Sequence, residues 1–285
     1  MELSNSGEIR RILNKYGFTF SKALGQNFII NPSVCPKMAE LGNAVPGFGV
    51  LEIGPGIGVL TKELALRADR VVAVELDNRL LPVLDETLSE FDNVRIVHGD
   101  ALKIDLHELI ETEFPGMPVA VCANLPYYIT SPVIMHLLES RLPIQSITVM
   151  VQKEAAARIC ATPGSRDVGA VSLAVRYFSN PKILFGVSRG SFMPAPDVDS
   201  AVIRLDVLET PSVTVDDEAA FFKVIRGAFS QRRKTLLNSL SASYPLEKPQ
   251  LTALLAQLDI PLNSRPEQLS LQQFADIANG LSAKA

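Results

Sequence analysis

From Phe48 to about Val207, short runs of continuous apolar residues alternate with stretches in which apolar positions recur at helical spacing. The runs 49–53, 70–75, 94–98, 119–123 and 147–151 predict strands covered on both faces. The intervening stretches 60–67, 79–90, 107–113 and 132–139 predict helices. This alternation is the signature of an α/β fold with a doubly wound parallel sheet. Two later runs, 182–187 and 201–207, predict further strands at the far edge of that sheet. After Leu208 the pattern changes. Glu209-Thr210-Pro211-Ser212 reads as a linker. From Asp216 to about Leu281, helical spacing is interrupted by Pro245, Pro249, Pro261 and Pro266, which predicts several short helices. Two domains are therefore expected, 1–208 and 209–285, the first carrying an N-terminal segment 1–47.

Composition narrows the function classes. At 47% hydrophobic and 20% charged residues, the chain has ample material for a core. It has no run of roughly 18 apolar residues, so no membrane span is expected. Its first fifteen residues lack the apolar segment of a secretory signal. The three cysteines (Cys35, Cys122, Cys160) and three histidines (His98, His107, His136) are scattered. They predict neither a disulfide framework nor a metal site, and they fit a cytoplasmic protein. The net charge of −4 argues against a uniformly basic surface, so any contact with nucleic acid must come from local clusters. Gln231-Arg232-Arg233-Lys234 is one such cluster, although a basic run of this kind also occurs at a solvated helix end.

Glu52-Ile53-Gly54-Pro55-Gly56-Ile57-Gly58 closes the first predicted strand and opens a helix. Glycines allow a tight turn and close approach to a ligand. A strand–glycine loop–helix unit alone is shared by several nucleotide cofactors. The GxGxG spacing and the acidic residue before the first glycine favour a cationic sulfonium methyl donor over a pyrophosphate. The alternative is a plain tight turn. Glu75, at the end of the second strand, is placed to accept ribose hydroxyls, whereas Asp77 fits a helix cap better. Asp100 follows the third strand and can accept from a nucleobase amine, or serve only as a turn residue. All three loops fall at carboxyl ends of strands, where open α/β sheets bind ligands.

Asn124-Leu125-Pro126-Tyr127-Tyr128 follows the fourth strand. An adenine amine is a poor nucleophile because its lone pair is delocalised into the ring. The Asn124 oxygen and the Leu125 carbonyl can accept both amine hydrogens and favour a geometry that frees the lone pair. Pro126 stiffens the turn. Tyr127 offers a ring for stacking, worth on the order of 1–3 kcal/mol. A base can reach such a pocket only when unstacked. No nucleophilic cysteine is required, which argues against carbon-5 pyrimidine methylation. Phe192, in Ser191-Phe192-Met193-Pro194-Ala195-Pro196, could cover the other face of the base, although a lone phenylalanine is more often core.

Other segments complete an ordered set: Lys22-Ala23-Leu24-Gly25-Gln26-Asn27-Phe28, Val151-Gln152-Lys153-Glu154-Ala155-Ala156 and Ala228-Phe229-Ser230-Gln231-Arg232-Arg233-Lys234-Thr235-Leu236. Together with the motifs above they span nearly the whole chain. The set resembles the rRNA adenine N6,N6-dimethyltransferase family, above all its bacterial small-subunit (16S), kasugamycin-resistance branch. The resemblance implies a Rossmann-like S-adenosylmethionine-dependent methyltransferase domain with a mixed seven-stranded sheet. It also implies a cofactor-capping segment 1–47 and a small all-α C-terminal domain that contacts RNA and ribosome. Asn27, Ile29, Gly54, Gly56, Glu75, Asp100 and Asn124 would bind the cofactor. Asn124, Leu125, Pro126, Tyr127 and Phe192 would hold the target base. The implied reaction is dimethylation of two adjacent adenosines in the 3′-terminal hairpin loop of small-subunit rRNA. The implied substrate is a partly assembled 30S subunit, which adds a role in subunit biogenesis. RNA contacts are expected at Lys22, Lys153, Arg226, Arg232, Arg233 and Lys234, from a monomer without metal. The competing readings are a large-subunit rRNA adenine methyltransferase of the macrolide-resistance type, a non-catalytic ribosome-assembly factor, and a small-molecule N-methyltransferase.

Overall fold

The computed structural model describes residues 3, 5–19, 26–231, 233–244 and 247–282. Among the described residues there are nine strands: β1 (Phe28–Ile29), β2 (Gly49–Ile53), β3 (Arg70–Glu75), β4 (Val94–His98), β5 (Val119–Asn124), β6 (Ile144–Gln152), β7 (Ser179–Val187), β8 (Phe192–Met193) and β9 (Ser200–Val207). Seven of them form one mixed sheet in the order β4-β3-β2-β5-β6-β9-β7. Pairing is parallel from β4 across to β6, and β9 joins β6 antiparallel. The residues of β2 are buried throughout, as a continuous apolar run predicts for a central strand. Val94–His98 departs from that expectation. β4 is an edge strand and only half-buried, so it is not covered on both faces.

The strand order creates the ligand crevice. From β2 the chain moves outward to β3 and β4, then returns to place β5 on the opposite side of β2. The connections after β2 and β5 thus leave in opposite directions, and a cleft opens at their carboxyl ends. Register aligns the two: Ile53 pairs with Ala123 and also with Val74. Gly54, Glu75 and Asn124 therefore stand in one row at the top of the sheet.

The helices follow the predicted pattern with shifted ends: Val59–Ala65, Leu106–Glu113 and Thr130–Glu139. The stretch 79–90 is instead a 3₁₀ turn, Asn78–Leu80, followed by the helix Leu81–Thr87. Asp77 caps this turn by accepting from Arg79 N at 3.1 Å. Segment 1–47, expected only as a cofactor-capping segment, contributes the helices Ser6–Lys15 and Val34–Leu41. Ile9, Ile12 and Leu13 of the first pack with Ile57, Leu80, Val83, Leu84 and Leu88. Burial of each such aliphatic side chain contributes roughly 1.5–3 kcal/mol. This cluster anchors the N-terminal helix beside the glycine loop that carries Ile57.

The chain divides into two compact units, residues 1–156 with 181–207, and 157–180 with 208–285. The second unit thus takes in residues before Leu208 as well as those after it. Its helices include Ala170–Phe178, Glu218–Ala228, Leu236–Ser243, Lys248–Gln257 and Leu271–Ser282. Tyr177 and Phe178 draw the first of these into the unit. Their rings lie 5.0–5.7 Å from Phe221 and Phe222, and the Tyr177 hydroxyl donates to Glu218 at 3.1 Å. Among the described residues no helix is long and apolar enough to cross a membrane.

Candidate active site

The chain leaves β2 through three glycines whose φ values, 72°, 62° and 89° at Gly54, Gly56 and Gly58, lie in the left-handed region. The loop is pinned to the end of β3. Gly54 N donates to Val74 O at 2.9 Å, and Gly56 N donates to Glu75 Oε2 at 3.2 Å. A side chain at Gly56 would also meet the Phe28 ring at 3.1 Å. Glycine is thus required there for conformation and for space.

Glu75 is buried and its other oxygen accepts from Asp77 N at 2.8 Å. Burial raises its pKa, and hydrogen bonds from the backbone of Asp77, Gly56 and Leu76 oppose that shift. A carboxylate has about four acceptor sites, so Glu75 keeps acceptor capacity for a ligand. Asp77 accepts from Gln26 Nε2 at 2.9 Å and pairs with Arg79 at 2.6 Å. The Arg79 side chain holds the Asp77 carboxyl below its ordinary range. Asp100 has a turn role: its Oδ1 accepts from Leu102 N at 3.0 Å, and Lys103 lies 3.3 Å from its Oδ2.

Asn124 ends β5 with its Nδ2 directed at the Asn27 carbonyl, 3.4 Å away. That long hydrogen bond orients the amide and leaves Oδ1 as its acceptor. Leu125 is buried, and the next residues form a turn closed by Ile129 N donating to Pro126 O at 3.1 Å. Tyr127 is tethered through its hydroxyl to Ser200 Oγ at 2.8 Å. Burial raises the Tyr127 pKa and the Ser200 contact counters it.

Phe192 is brought in by a contact that spans most of the unit. β8 pairs antiparallel with β1, matching Ile29 to Phe192 and Phe28 to Met193. Ile30 N donates to Ser191 O at 2.8 Å, and Asn31 donates to Ser191 Oγ at 3.1 Å. Phe192 is 4% exposed and belongs to the same core cluster as Ile29. The core reading and the base-facing reading of this residue are therefore compatible, because it lines the cavity as well.

All eleven residues expected to hold cofactor or base line one cavity of about 320 Å³: Asn27, Ile29, Gly54, Gly56, Glu75, Asp100, Asn124, Leu125, Pro126, Tyr127 and Phe192. Glu52 lines it too. This carboxyl is 1% exposed, and its Oε2 has no hydrogen-bond partner among the described residues. Desolvation, opposed by the Thr61 hydroxyl and assisted slightly by the Glu75 charge, pushes its pKa up to about 8. Burial likewise raises the pKa of Cys35 and Cys122, so neither supplies a thiolate nucleophile. No group of three or more His, Cys, Asp or Glu able to hold a metal ion occurs among the described residues.

Residues 17–283 match the ribosomal RNA adenine dimethylase family. The chain belongs to that family. It is 48% identical over 283 residues, 99% of each chain, to ribosomal RNA small subunit methyltransferase A of Alkaliphilus oremlandii (strain OhILAs). It is 47% identical to the protein of the same name from Geobacillus kaustophilus (strain HTA426), over 99% of this chain and 97% of that one. Among solved structures, a dimethyladenosine transferase from Plasmodium falciparum superposes with a TM-score of 0.71 at 26% identity, covering 88% of this chain and 95% of that one. The 23S rRNA methyltransferase ErmE superposes with a TM-score of 0.66 at 28% identity, covering 90% and 99%. The chain is an rRNA adenine methyltransferase with the Rossmann-like fold of its relatives.

The expected RNA-contacting residues of this enzyme are divided between its units. Lys153 is exposed at the carboxyl end of β6, its backbone N bonded to Asp199 O at 3.0 Å. Arg226, Arg233 and Lys234 belong to the second unit and are exposed. Arg233 and Lys234 occupy the turn between Glu218–Ala228 and Leu236–Ser243. Lys22 and Arg232 lie outside the described residues. Charge is unevenly shared. The unit with the cavity has sixteen Lys and Arg against twenty-two Asp and Glu, whereas the helical unit has eleven against nine. The acidity of the chain thus belongs to the unit that carries the cavity. Sequence reasoning missed Ser200, the tether of Tyr127, and used Glu52 only as the acidic residue before the first glycine that suits a cationic methyl donor. The only sequence signal for Ser200 is its position just before the predicted strand 201–207.

Proposed function

We propose that this enzyme dimethylates the N6 amines of two adjacent adenosines in the 3′-terminal hairpin loop of small-subunit (16S) rRNA, using S-adenosylmethionine, within a partly assembled 30S subunit. The observation that carries the reading is the Asn124 amide. Its nitrogen faces the Asn27 carbonyl, so its oxygen is the acceptor left for a target amine. The Leu125 carbonyl is the second acceptor, and Pro126 fixes its direction. Tyr127, held by Ser200, and Phe192, held by the β1–β8 pair, offer two ring faces to the flipped base. Bound as a pair, the two amine hydrogens leave the lone pair free to attack, and positioning carries much of the rate enhancement.

The same cavity suits the cofactor's chemistry. When bound, S-adenosylmethionine supplies an electrophilic methyl group on a cationic sulfur. Glu75 has acceptor capacity for ribose hydroxyls, Asp100 for a nucleobase amine, and the loop at Gly54 and Gly56 permits close backbone approach. Glu52, a buried carboxyl in the wall of the same cavity, favours a cationic ligand in its ionised form. Asn27 and Ile29, from segment 1–47, complete the wall.

The choice of small over large subunit is supported by identity, 48% to the small-subunit relative against 28% to ErmE. Arg226, Arg233 and Lys234, with Lys153, Lys22 and Arg232, are proposed as phosphate contacts, and the helical unit as the ribosome-contacting domain. One chain supplies every wall of the cavity, so we take the enzyme to act as a monomer, in the cytoplasm where subunits are built. The test is methyl transfer by the purified enzyme to small subunits taken from a strain that lacks it. Up to four methyl groups per particle, all on the paired adenosines, are expected. Transfer only to large-subunit rRNA or to free adenosine would overturn the reading.

A further inference from the structure

The turn that carries Tyr127 carries a second aromatic residue with the opposite disposition. Tyr127 is half-buried and bonded to Ser200. Tyr128 is 58% exposed, yet it also lines the cavity. Among the described residues no group bonds its hydroxyl, and no packed ring covers it. The turn is well fixed. Pro126 O accepts from Ile129 N at 3.1 Å and from Thr130 Oγ1 at 3.4 Å, and the helix Thr130–Glu139 begins at once. One tyrosine is thus held in the cavity and the next is presented at its rim. A single exposed apolar side chain is ordinary on a protein surface. An aromatic ring at a cavity rim, one residue from the proposed base platform, has a chemical use.

Resting on the reading above, we propose that Tyr128 is a second nucleobase subsite. It stacks the nucleotide next to the target while the target itself lies in the cavity. Extruding one base leaves its neighbour with an uncovered face and costs stacking energy. A ring at the mouth replaces that lost partner. Stacking tolerates any base, because every base has a π face. Two adjacent adenosines can therefore exchange places, each in turn serving as neighbour to the other. The subsite favours an unpaired dinucleotide over a lone nucleoside.

Three variants test it: Tyr128→Phe keeps the ring, whereas Tyr128→Leu and Tyr128→Ala remove it. Small subunits whose rRNA carries fluorescent 2-aminopurine beside one target adenosine report stacking directly. Emission should be low in complexes with the parent enzyme and Tyr128→Phe, and clearly higher with Tyr128→Leu and Tyr128→Ala. The KM for subunits should rise about tenfold in the ring-less variants, the loss of one base–aromatic stack, with cofactor affinity unchanged. If the parent enzyme transfers methyl groups but Tyr128→Ala matches it in KM and emission, the subsite is refuted and the rRNA reading stands. If the parent enzyme transfers nothing to small subunits, both fail.

Discussion

Replacing Glu52 by glutamine should stabilise the folded enzyme at alkaline pH. The side chain is 1% exposed, with one oxygen unpaired, and its pKa is pushed up to about 8 from an ordinary 4.5. A carboxyl whose folded pKa lies above its unfolded value holds its proton more tightly in the folded chain. The neutral form costs little below pH 4.5. Above that, each pH unit costs the folded state about 1.4 kcal/mol, until the group ionises near pH 8. The full penalty is about 5 kcal/mol, comparable with the whole stability of an ordinary domain. Glutamine keeps the shape, removes the titration and should flatten this slope. Urea unfolding of both proteins without cofactor, from pH 5 to pH 9, measures the difference. The stability of the parent should fall relative to Glu52→Gln by about 4 kcal/mol across that range, levelling off above about pH 8. Parallel curves would show that Glu52 ionises normally, which would remove the argument for a buried neutral acid behind the glycine loop. Without its charged form, Glu52→Gln should also bind the cationic cofactor more weakly at pH 9.

Three further outcomes are expected. Asn124→Ala should lower methyl transfer by at least roughly 10²–10³-fold while leaving cofactor affinity within about an order of magnitude, checked by single-turnover kinetics and calorimetry, because the lost contact belongs mainly to the target amine. Ser200→Ala should raise the Tyr127 phenol pKa, read by ultraviolet absorbance, and lower kcat several-fold at a stability cost of about 1 kcal/mol, because the counteracting hydrogen bond is gone; an unmoved tyrosine titration would separate the two residues. Arg233→Ala with Lys234→Ala should weaken subunit binding and reduce the slope of log affinity against log salt by about 1.4, and an unchanged slope would place the RNA surface elsewhere.

Much of the fold is legible because buried strands write themselves as apolar runs. Gly49–Ile53 and Arg70–Glu75 end where the run ends. The glycine loop is legible for the same reason, since its left-handed positions admit little else. β4 misleads because Val94, Ile96 and Val97 are apolar although the strand lies at an edge. The helix Ala170–Phe178 carries a clear helical period of apolar residues, so it is legible in the sequence although no element is expected there. β1 and β8 are two residues each and pair across more than 160 positions, so neither has a local pattern. Their pairing nevertheless decides the site, because it seats Phe192 beside Ile29. The Ser200 tether is hidden likewise: a serine opening a strand has many ordinary uses, and only the fold brings it to Tyr127.

The central claim concerns which nucleotides are modified. Mass spectrometry of small-subunit rRNA from a strain lacking this enzyme tests it most directly. The account predicts that both N6,N6-dimethyladenosines of the 3′-terminal hairpin loop are missing, restored by the parent gene and not by Asn124→Ala. Persistence of both modifications in that strain, or a loss confined to large-subunit rRNA, would contradict it.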